Sequence, residues 1–247
     1  MARDIQNIVI LTGAGVSAES GVPTFRSLSG STYWEVTGSD GDPVFHRVED
    51  ICTPEALSRD RALVLDFYDQ RRRALATVVP NAAHVALAWL DAHWGGELLI
   101  VTQNVDDLHE RAGATRLLHM HGELLSALCG ACGTRARFDG DMIGGPRCAG
   151  CGRDAMRPDI VFFGEMPYAM ERIEAALMAA DLFVSIGTSG AVYPAAGFVE
   201  GARQAGAETL ELNLEPSAGS RFFHQTRIGA AGALVPAWVE EIVAQAR

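Results

Sequence analysis

The run Asn7 to Thr12, NIVILT, passes directly into Gly13-Ala14-Gly15 and then into Val-Ser-Ala. That junction restricts the fold more than any other feature of the chain. A compact β-branched run without polar alternation reads as a strand covered on both faces, and such strands belong to parallel sheets. GAGVSA, matching Gly-x-Gly-x-x-Gly/Ala, then requires the strand to turn tightly into a helix. Similar runs recur as ELLIVT (97–102), DLFVSIG (181–187) and ETLELNL (208–214). Helical patterns lie between them: AAHVALAWLDAHW, YAMERIEAALMAAD and AAGFVEGARQAG. Strands alternating with helices over most of the length predict an α/β fold, a parallel sheet with helices on both faces.

Two segments interrupt the alternation. Residues 41–79 hold two helical stretches with no strand between them, and residues 125–156 are rich in Gly and Cys with little apolar periodicity. Both read as insertions that pack together into a smaller second domain. A length of 247 residues, 48% hydrophobic and 21% charged, suits one large domain carrying such an insertion. The net charge of -11 argues against general nucleic-acid binding, which needs a basic surface. No apolar run approaches the about 20 residues of a membrane span. The apolar part of MARDIQNIVILTGAG is too short for a signal peptide. A cytoplasmic location is therefore expected, with no membrane partner.

In a reducing compartment, close cysteine pairs read as metal ligands before disulfides. Cys129-x-x-Cys132 and Cys148-x-x-Cys151, separated by fifteen residues, have the spacing of a structural Zn2+ ribbon. Each pair lies in a glycine-rich knuckle, CGACG or CAGCG, where small residues let amides point at sulfur. Four thiolates leave the metal no open position, so this ion holds structure and performs no chemistry. Three arginines and two aspartates between the pairs make that segment weakly basic at most. Cys52 stands apart and reads as a plain buried or half-buried thiol.

The glycine turn suits a pyrophosphate, because the backbone can approach it and a helix N-terminus favours its charge. A dehydrogenase would show a second strand ending in an acidic residue about twenty residues on. ESGVPTFRSLSGSTYW instead looks like a long loop, and no strand delivers a candidate such as Glu35. Asn213 and Glu215, at the end of the strand in LNLEP, are better ribose partners. Dinucleotide binding survives this reading, whereas hydride transfer weakens. Gln103, Asn104 and Asp106 follow a strand, where open α/β sheets place ligand contacts, and their amide and carboxylate suit a carboxamide. Asn104 or Asp106 can equally cap the next helix. In LLHMHGELL, His121 is the better candidate base, beside Gly122, with His119 ranking lower. RPDIVFFGE (157–165) is either a core strand or an edge for an extended peptide. SIGTSGAVYPAAG offers a second phosphate or ribose contact.

Taken in order, GAGVSAESGVPTFR, QNVDDLHERAG, HGELL, the cysteine quartet, RPDIVFFGE, GTSGAVYPAA and LNLEP resemble the sirtuins, NAD-dependent protein-lysine deacylases, nearly end to end. The resemblance implies a Rossmann-like domain with a smaller domain made of a zinc-ribbon module and a helical module. The Rossmann-like part would be residues 1–40, 80–124 and 157–247, with the helical module at 41–79 and the zinc module at 125–156. NAD and an acyl-lysine protein or peptide would meet in the cleft between them. By the family's mechanism the acyl oxygen attacks C1′ of the nicotinamide ribose, nicotinamide leaves, and water releases lysine and an O-acyl-ADP-ribose. His121 would be the base on the ribose hydroxyls. Gly13, Ala14, Gly15, Phe25 and Arg26 would line the NAD loop. Gln103, Asn104 and Asp106 would hold the nicotinamide ribose and carboxamide. Gly187, Thr188 and Ser189, with Asn213 and Glu215, would hold phosphate and adenosine ribose, and Ala231 would touch adenine. Val161, Phe162, Gly164, Glu165 and Val192 would contact the peptide.

FYDQRRR (67–73) resembles the class III branch, which removes succinyl, malonyl and glutaryl groups, through its Tyr-x-x-Arg pair. Tyr68 and Arg71 share a helix face at i, i+3, and a guanidinium is a forked donor to a carboxylate. Arg72 and Arg73 read as cover for the helix's solvent side. The expected activity is removal of succinyl or malonyl groups, and of acetyl as well. A plain deacetylase, a mono-ADP-ribosyltransferase using the same cleft, and a non-catalytic zinc-ribbon binding module are the alternatives. The last of these explains neither His121 nor the glycine turn.

Overall fold

A computed structural model describes residues 5–23, 26–28, 31–37 and 42–245. The chain runs β1 (Asn7–Thr12), α1 (Ala14–Ala18), β2 (Arg26–Leu28), β3 (Ser31–Thr37), β4 (Pro43–Arg47), α2 (Val48–Ile51), α3 (Pro54–Arg59) and α4 (Arg61–Leu75). It continues through α5 (Ala82–His93), β5 (Glu97–Thr102), α6 (Leu108–Ala112), β6 (Leu117–His119), β7 (Gly122–Cys129), β8 (Arg135–Arg137) and β9 (Met156–Ile160). Last come α7 (Met170–Ala179), β10 (Leu182–Ile186), α8 (Phe198–Gln204), β11 (Glu208–Asn213), β12 (Gln225–Ile228) and α9 (Ala231–Gln245).

The main sheet has six parallel strands in the order β12-β11-β10-β1-β5-β6. Side chains of a strand alternate between faces, so NIVILT serves two cores at once. Ile8 and Ile10 pack with Leu87 and Leu90 of α5 and Val235 and Trp238 of α9. Val9 and Leu11 pack on the other face with Ile173 and Leu177 of α7 and Val199 of α8. Both faces are covered, which is why the run carries no polar alternation.

The smaller part has its own core. Trp34 from β3, Ile51 from α2, Val64 and Phe67 from α4, Leu124 from β7 and Phe162 form one buried cluster. A second cluster, Leu65, Ala127 and Met142, joins α4 to the cysteine-bearing segment. Three-stranded antiparallel sheets, β2-β3-β4 and β8-β7-β9, flank these clusters. Two expectations are corrected here. ESGVPTFRSLSGSTYW is not all loop, because it holds β2 and the start of β3, and β3 continues through Glu35. Residues 43–47, expected to open a helical segment, form β4 against β3. Thr, Val and aromatic residues carry β propensity that the neighbouring serines and glycines hide in the sequence. The β7–β9 ladder also runs across residues 124/125 and 156/157, where the zinc module was expected to begin and end.

Candidate active site

From β1 the strand order proceeds to β5 and β6 on one side and to β10, β11 and β12 on the other. In open parallel sheets, ligands bind outside the C-terminal strand ends at such a switch point. The turns after β1, β10 and β5 meet there, bringing Gly13–Gly15, Gly187–Ser189 and Gln103–Asp106 together. The Gly13 amide donates to the Ile186 carbonyl at 3.0 Å, the Gly15 amide to the Gly187 carbonyl at 2.8 Å, and the Gln103 amide to the Thr12 carbonyl at 2.9 Å. A Cβ on Gly13 would stand 2.8 Å from the Gly187 oxygen, and one on Gly15 would stand 2.7 Å from the Gly187 Cα. Both glycines therefore serve loop-to-loop contact, and their amides are committed to it. Of the three residues, only Ala14 has an amide free of such a bond among the described residues. The five-residue α1 contributes little dipole. Phe25 lies outside the described residues, and Arg26 begins β2.

Asn104 and Asp106 are buried below this opening. The Asn104 amide donates to the Ser17 hydroxyl at 3.0 Å, which lies 3.3 Å from Nε2 of buried His84. Asp107 occupies the N-cap of α6, so neither Asn104 nor Asp106 does, although Asp106 accepts from the Leu108 amide at 3.2 Å. Burial pushes the Asp106 carboxyl up, while the Leu108 amide, the Ser17 hydroxyl and the charges of His119 and Arg71 draw it down. His84 is pushed down to about 4 by burial, and His109, which meets Thr12 Oγ1 at 3.0 Å, to about 3. Both rings are thus neutral, and the polar layer beneath the site holds Ser17 in place. Sequence reading missed Ser17 and His84. Their signals were present: Ser17 sits inside GAGVSA, and His84 closes a capping box with Asn81.

His121 Nδ1 donates to the Gln103 carbonyl at 3.1 Å, which leaves Nε2 as the acceptor. Burial pushes its pKa down against the opposing effect of that hydrogen bond, so the ring is neutral near pH 7. Gly122 is needed for a reason other than room for the histidine. Its φ is +83°, and a Cβ there would lie 2.0 Å from the Asp159 carbonyl oxygen across the β7–β9 ladder.

On the far side of the opening, Thr188 is buried and meets Ser185 Oγ at 3.1 Å, while Ser189 is exposed. The Asn213 amide donates to the Thr188 carbonyl at 2.7 Å, tying the end of β11 to that turn. Glu215 is exposed just beyond. Ala231 opens α9 inside the main apolar cluster, so its side chain packs in the core.

On the small-domain side Tyr68 is fully buried, stacked on Phe162 at 5.9 Å, with its hydroxyl 2.9 Å from Cys52 Sγ. Burial pushes both the Tyr68 hydroxyl and the Cys52 thiol up. Arg71 is half-buried, its guanidinium 3.9 Å over the Trp34 ring and 5.6 Å from Phe67. Among the described residues it has no carboxylate within ion-pair distance. Burial lowers its pKa, opposed by Tyr68, Cys52 and Asp106. Arg72 does not cover a solvent face. It is 2% exposed, pairs with Asp69 at 2.7 Å and donates to the carbonyls of Leu124 and Gly140. The helix lies against the cysteine-bearing segment on that side, which turns Arg72 inward. Arg73 is exposed and pairs with Asp141.

The segment 161–165 leaves the sheet. The Val161 amide donates to the His121 carbonyl, Phe162 is buried, and Gly164 has a φ of +91°. Glu165 accepts from Arg157 at 2.7 and 2.8 Å and from the Phe162 amide, so it braces this loop. Val192 is exposed in the loop after β10.

The four cysteine sulfurs lie within 4.8 Å of one another. Cys129 and Cys151 are 3.7 Å apart at sulfur, and Cys132 and Cys148 are 3.6 Å apart. Zinc–sulfur bonds of about 2.3 Å in a tetrahedron place sulfurs about 3.8 Å apart, so the set fits a structural zinc ion. The Gly150 amide donates to Cys148 Sγ at 3.3 Å, a contact its knuckle allows.

The sequence profile of the Sir2 family matches residues 13–194. The NAD-dependent protein deacylase of Vibrio vulnificus (strain YJ016) is 51% identical over 242 residues, covering 97% of this chain and 94% of that protein. The crystal structure of a Sir2 homologue in complex with NAD superposes with a TM-score of 0.86 at 33% identity, covering 99% and 92% of the two chains. A Sir2 protein bound to a p53 peptide and NAD+ gives a TM-score of 0.80 at 26% identity, over 98% and 95%.

Proposed function

This chain belongs to the Sir2 family, and we propose that within it the protein removes acidic acyl groups, succinyl and malonyl, from lysine side chains at the expense of NAD. Its activity class is that of an NAD-dependent protein deacylase, with a structural zinc at the four cysteines. NAD supplies the glycosidic bond whose cleavage releases nicotinamide. The protein's part is to hold and orient. Gly13 to Gly15, Gly187 to Ser189, Asn213 and Glu215 border the opening for the phosphates and adenosine ribose. Gln103, Asn104 and Asp106 face the nicotinamide ribose, and the lone pair on His121 Nε2 takes a proton from a ribose hydroxyl. The acylated peptide lies extended between segment 161–165 and Val192. The Rossmann-like and small-domain division at 41–79 and 125–156 belongs to the same reading, as does a cytoplasmic location. No described helix is long and apolar enough to cross a membrane.

The observation that carries the acyl preference is Arg71. A half-buried guanidinium caged by Trp34 and Phe67, without a carboxylate of its own among the described residues, needs an anion to complete it. A succinyl or malonyl carboxylate provides one, and an acetyl group does not. Side-by-side assay of succinyl-, malonyl- and acetyl-lysine peptides with NAD, read by mass spectrometry, tests this. The expected result is higher kcat/KM on the acidic acyl groups, with O-acyl-ADP-ribose and free lysine as products. ADP-ribose left on the peptide, or acetyl-lysine as the best substrate, would overturn it.

A further inference from the structure

His119 and His121, two residues apart at the end of β6, hold successive carbonyls of the turn after β5. His121 Nδ1 donates to the Gln103 carbonyl at 3.1 Å, and His119 Nδ1 donates to the Asn104 carbonyl at 2.9 Å. Their second nitrogens differ. His121 Nε2 has no partner among the described residues, whereas His119 Nε2 lies 2.7 Å from Glu110 Oε1, with the His119 side chain only 8% exposed. A carbonyl and a carboxylate can only accept, so both nitrogens of His119 donate and the ring is an imidazolium. The same backbone tether thus carries a neutral base at one position and a fixed cation at the other.

The groups facing His119 are Glu110 and His109 from α6, Glu123 from β7 and Asp106 from the turn itself. His109 is neutral, and the acidic neighbours outnumber any cation. Burial alone would discharge His119, but Glu110 above all, the Asn104 carbonyl and Glu123 together raise its pKa. Asp106 is in the opposite position. Burial pushes its carboxyl toward the protonated form, and the His119 charge is among the influences that draw it back.

We infer that His119 and Glu110 form a positioning dyad that fixes the Asn104 carbonyl, and with it the turn carrying Asn104 and Asp106, in the conformation that takes NAD. Neither residue touches a ligand in this scheme. The inference rests on the proposed assignment of Asn104 and Asp106 to the nicotinamide ribose.

Glu110→Gln isolates the charge. With an amide in place of the carboxylate, a neutral His119 still donates from Nδ1 to Asn104 and accepts at Nε2, so the hydrogen bonds persist and the cation vanishes. His119→Asn likewise keeps a donor near the Asn104 carbonyl and removes the charge. Without the cation, the charge-assisted tether on the Asn104 carbonyl weakens, so NAD affinity falls over the pH range in which wild-type His119 is charged. Calorimetric titration of NAD at several pH values between 5 and 8 reads this directly. Both variants are expected to lose about threefold or more in affinity near pH 6. At high pH, where wild-type His119 itself loses its proton, they should match wild type, with melting temperatures unchanged. Glu110→Gln following wild type at every pH would overturn the dyad, as would a loss equal at all pH values, which a purely structural role gives. Asp106→Asn separates the two layers of the argument. If it lowers affinity while Glu110→Gln behaves as wild type, the dyad alone is wrong. Undiminished NAD affinity in Asp106→Asn would remove the site assignment and the dyad together.

Discussion

Tyr68 and Arg71 lie on one face of α4, one helical turn apart, yet the two side chains are in different situations. The tyrosine hydroxyl is already engaged with Cys52, while the guanidinium rests on Trp34 with no carboxylate partner among the described residues. The pairing was legible because i, i+3 spacing fixes which side chains share a face. The engagement with Cys52 was not, since the partners stand sixteen positions apart across loop and helix and no local rule joins them. Gly122 shows the same limit. Its place beside His121 marked it as significant, but the reason is the Asp159 carbonyl on another strand, which no spacing in HGELL reveals. Gly122→Ala adds a clash with backbone to an unfavourable positive φ. It is expected to destabilise the fold by about 3 kcal/mol or more in denaturant unfolding. A loss below about 1 kcal/mol would show that the ladder yields.

At the level of elements, α4 presents three faces. One carries Tyr68 and Arg71, the proposed acyl-recognition pair, one carries exposed Arg73, and the third holds the cysteine-bearing segment. On that third face Asp69 accepts from the amides of Met142, at 2.8 and 2.9 Å, and Ile143, at 3.1 Å, while Arg72 bridges Asp69 and the carbonyls of Leu124 and Gly140. A buried pair of this kind is costly to break from one side, because it strands the remaining charge. Asp69→Ala is expected to cost about 3–5 kcal/mol by denaturant unfolding. A change under about 1 kcal/mol would mean that the segment is held by other contacts. Arg72 was misread because three consecutive arginines look alike in sequence; only the packing of another element on α4 distinguishes the inward one. The parallel strands were legible from their unbroken β-branched runs. β2, β3 and β4 were not, since Ser- and Gly-rich sequence around them mimics loop.

For the whole molecule, the topology places the ligand opening, and the four clustered cysteines can hold a metal that staples the segments carrying them. Alternation of strand and helix implied the parallel sheet, and with it an opening at the strand ends. Which turns meet there depends on strand order, a long-range property that local patterns do not encode. The cysteine quartet was the most legible feature of all, since ligand spacing follows from zinc geometry. Stripping the metal with a chelator is expected to lower the melting temperature by about 10 °C or more, because metal-binding free energy is folding free energy for such a module. An unchanged melting temperature in verified metal-free protein would refute a structural role. The proposed selector of acyl groups ending in a carboxylate is Arg71, a cation with no carboxylate partner among the described residues. Parallel kcat/KM measurements on succinyl- and acetyl-lysine peptides, for wild type and Arg71→Met, test it most directly. The expected result is a loss of about tenfold or more on the succinyl substrate, about 1.4 kcal/mol of transition-state stabilisation, with acetyl-lysine turnover spared. Equal losses on both substrates would contradict it.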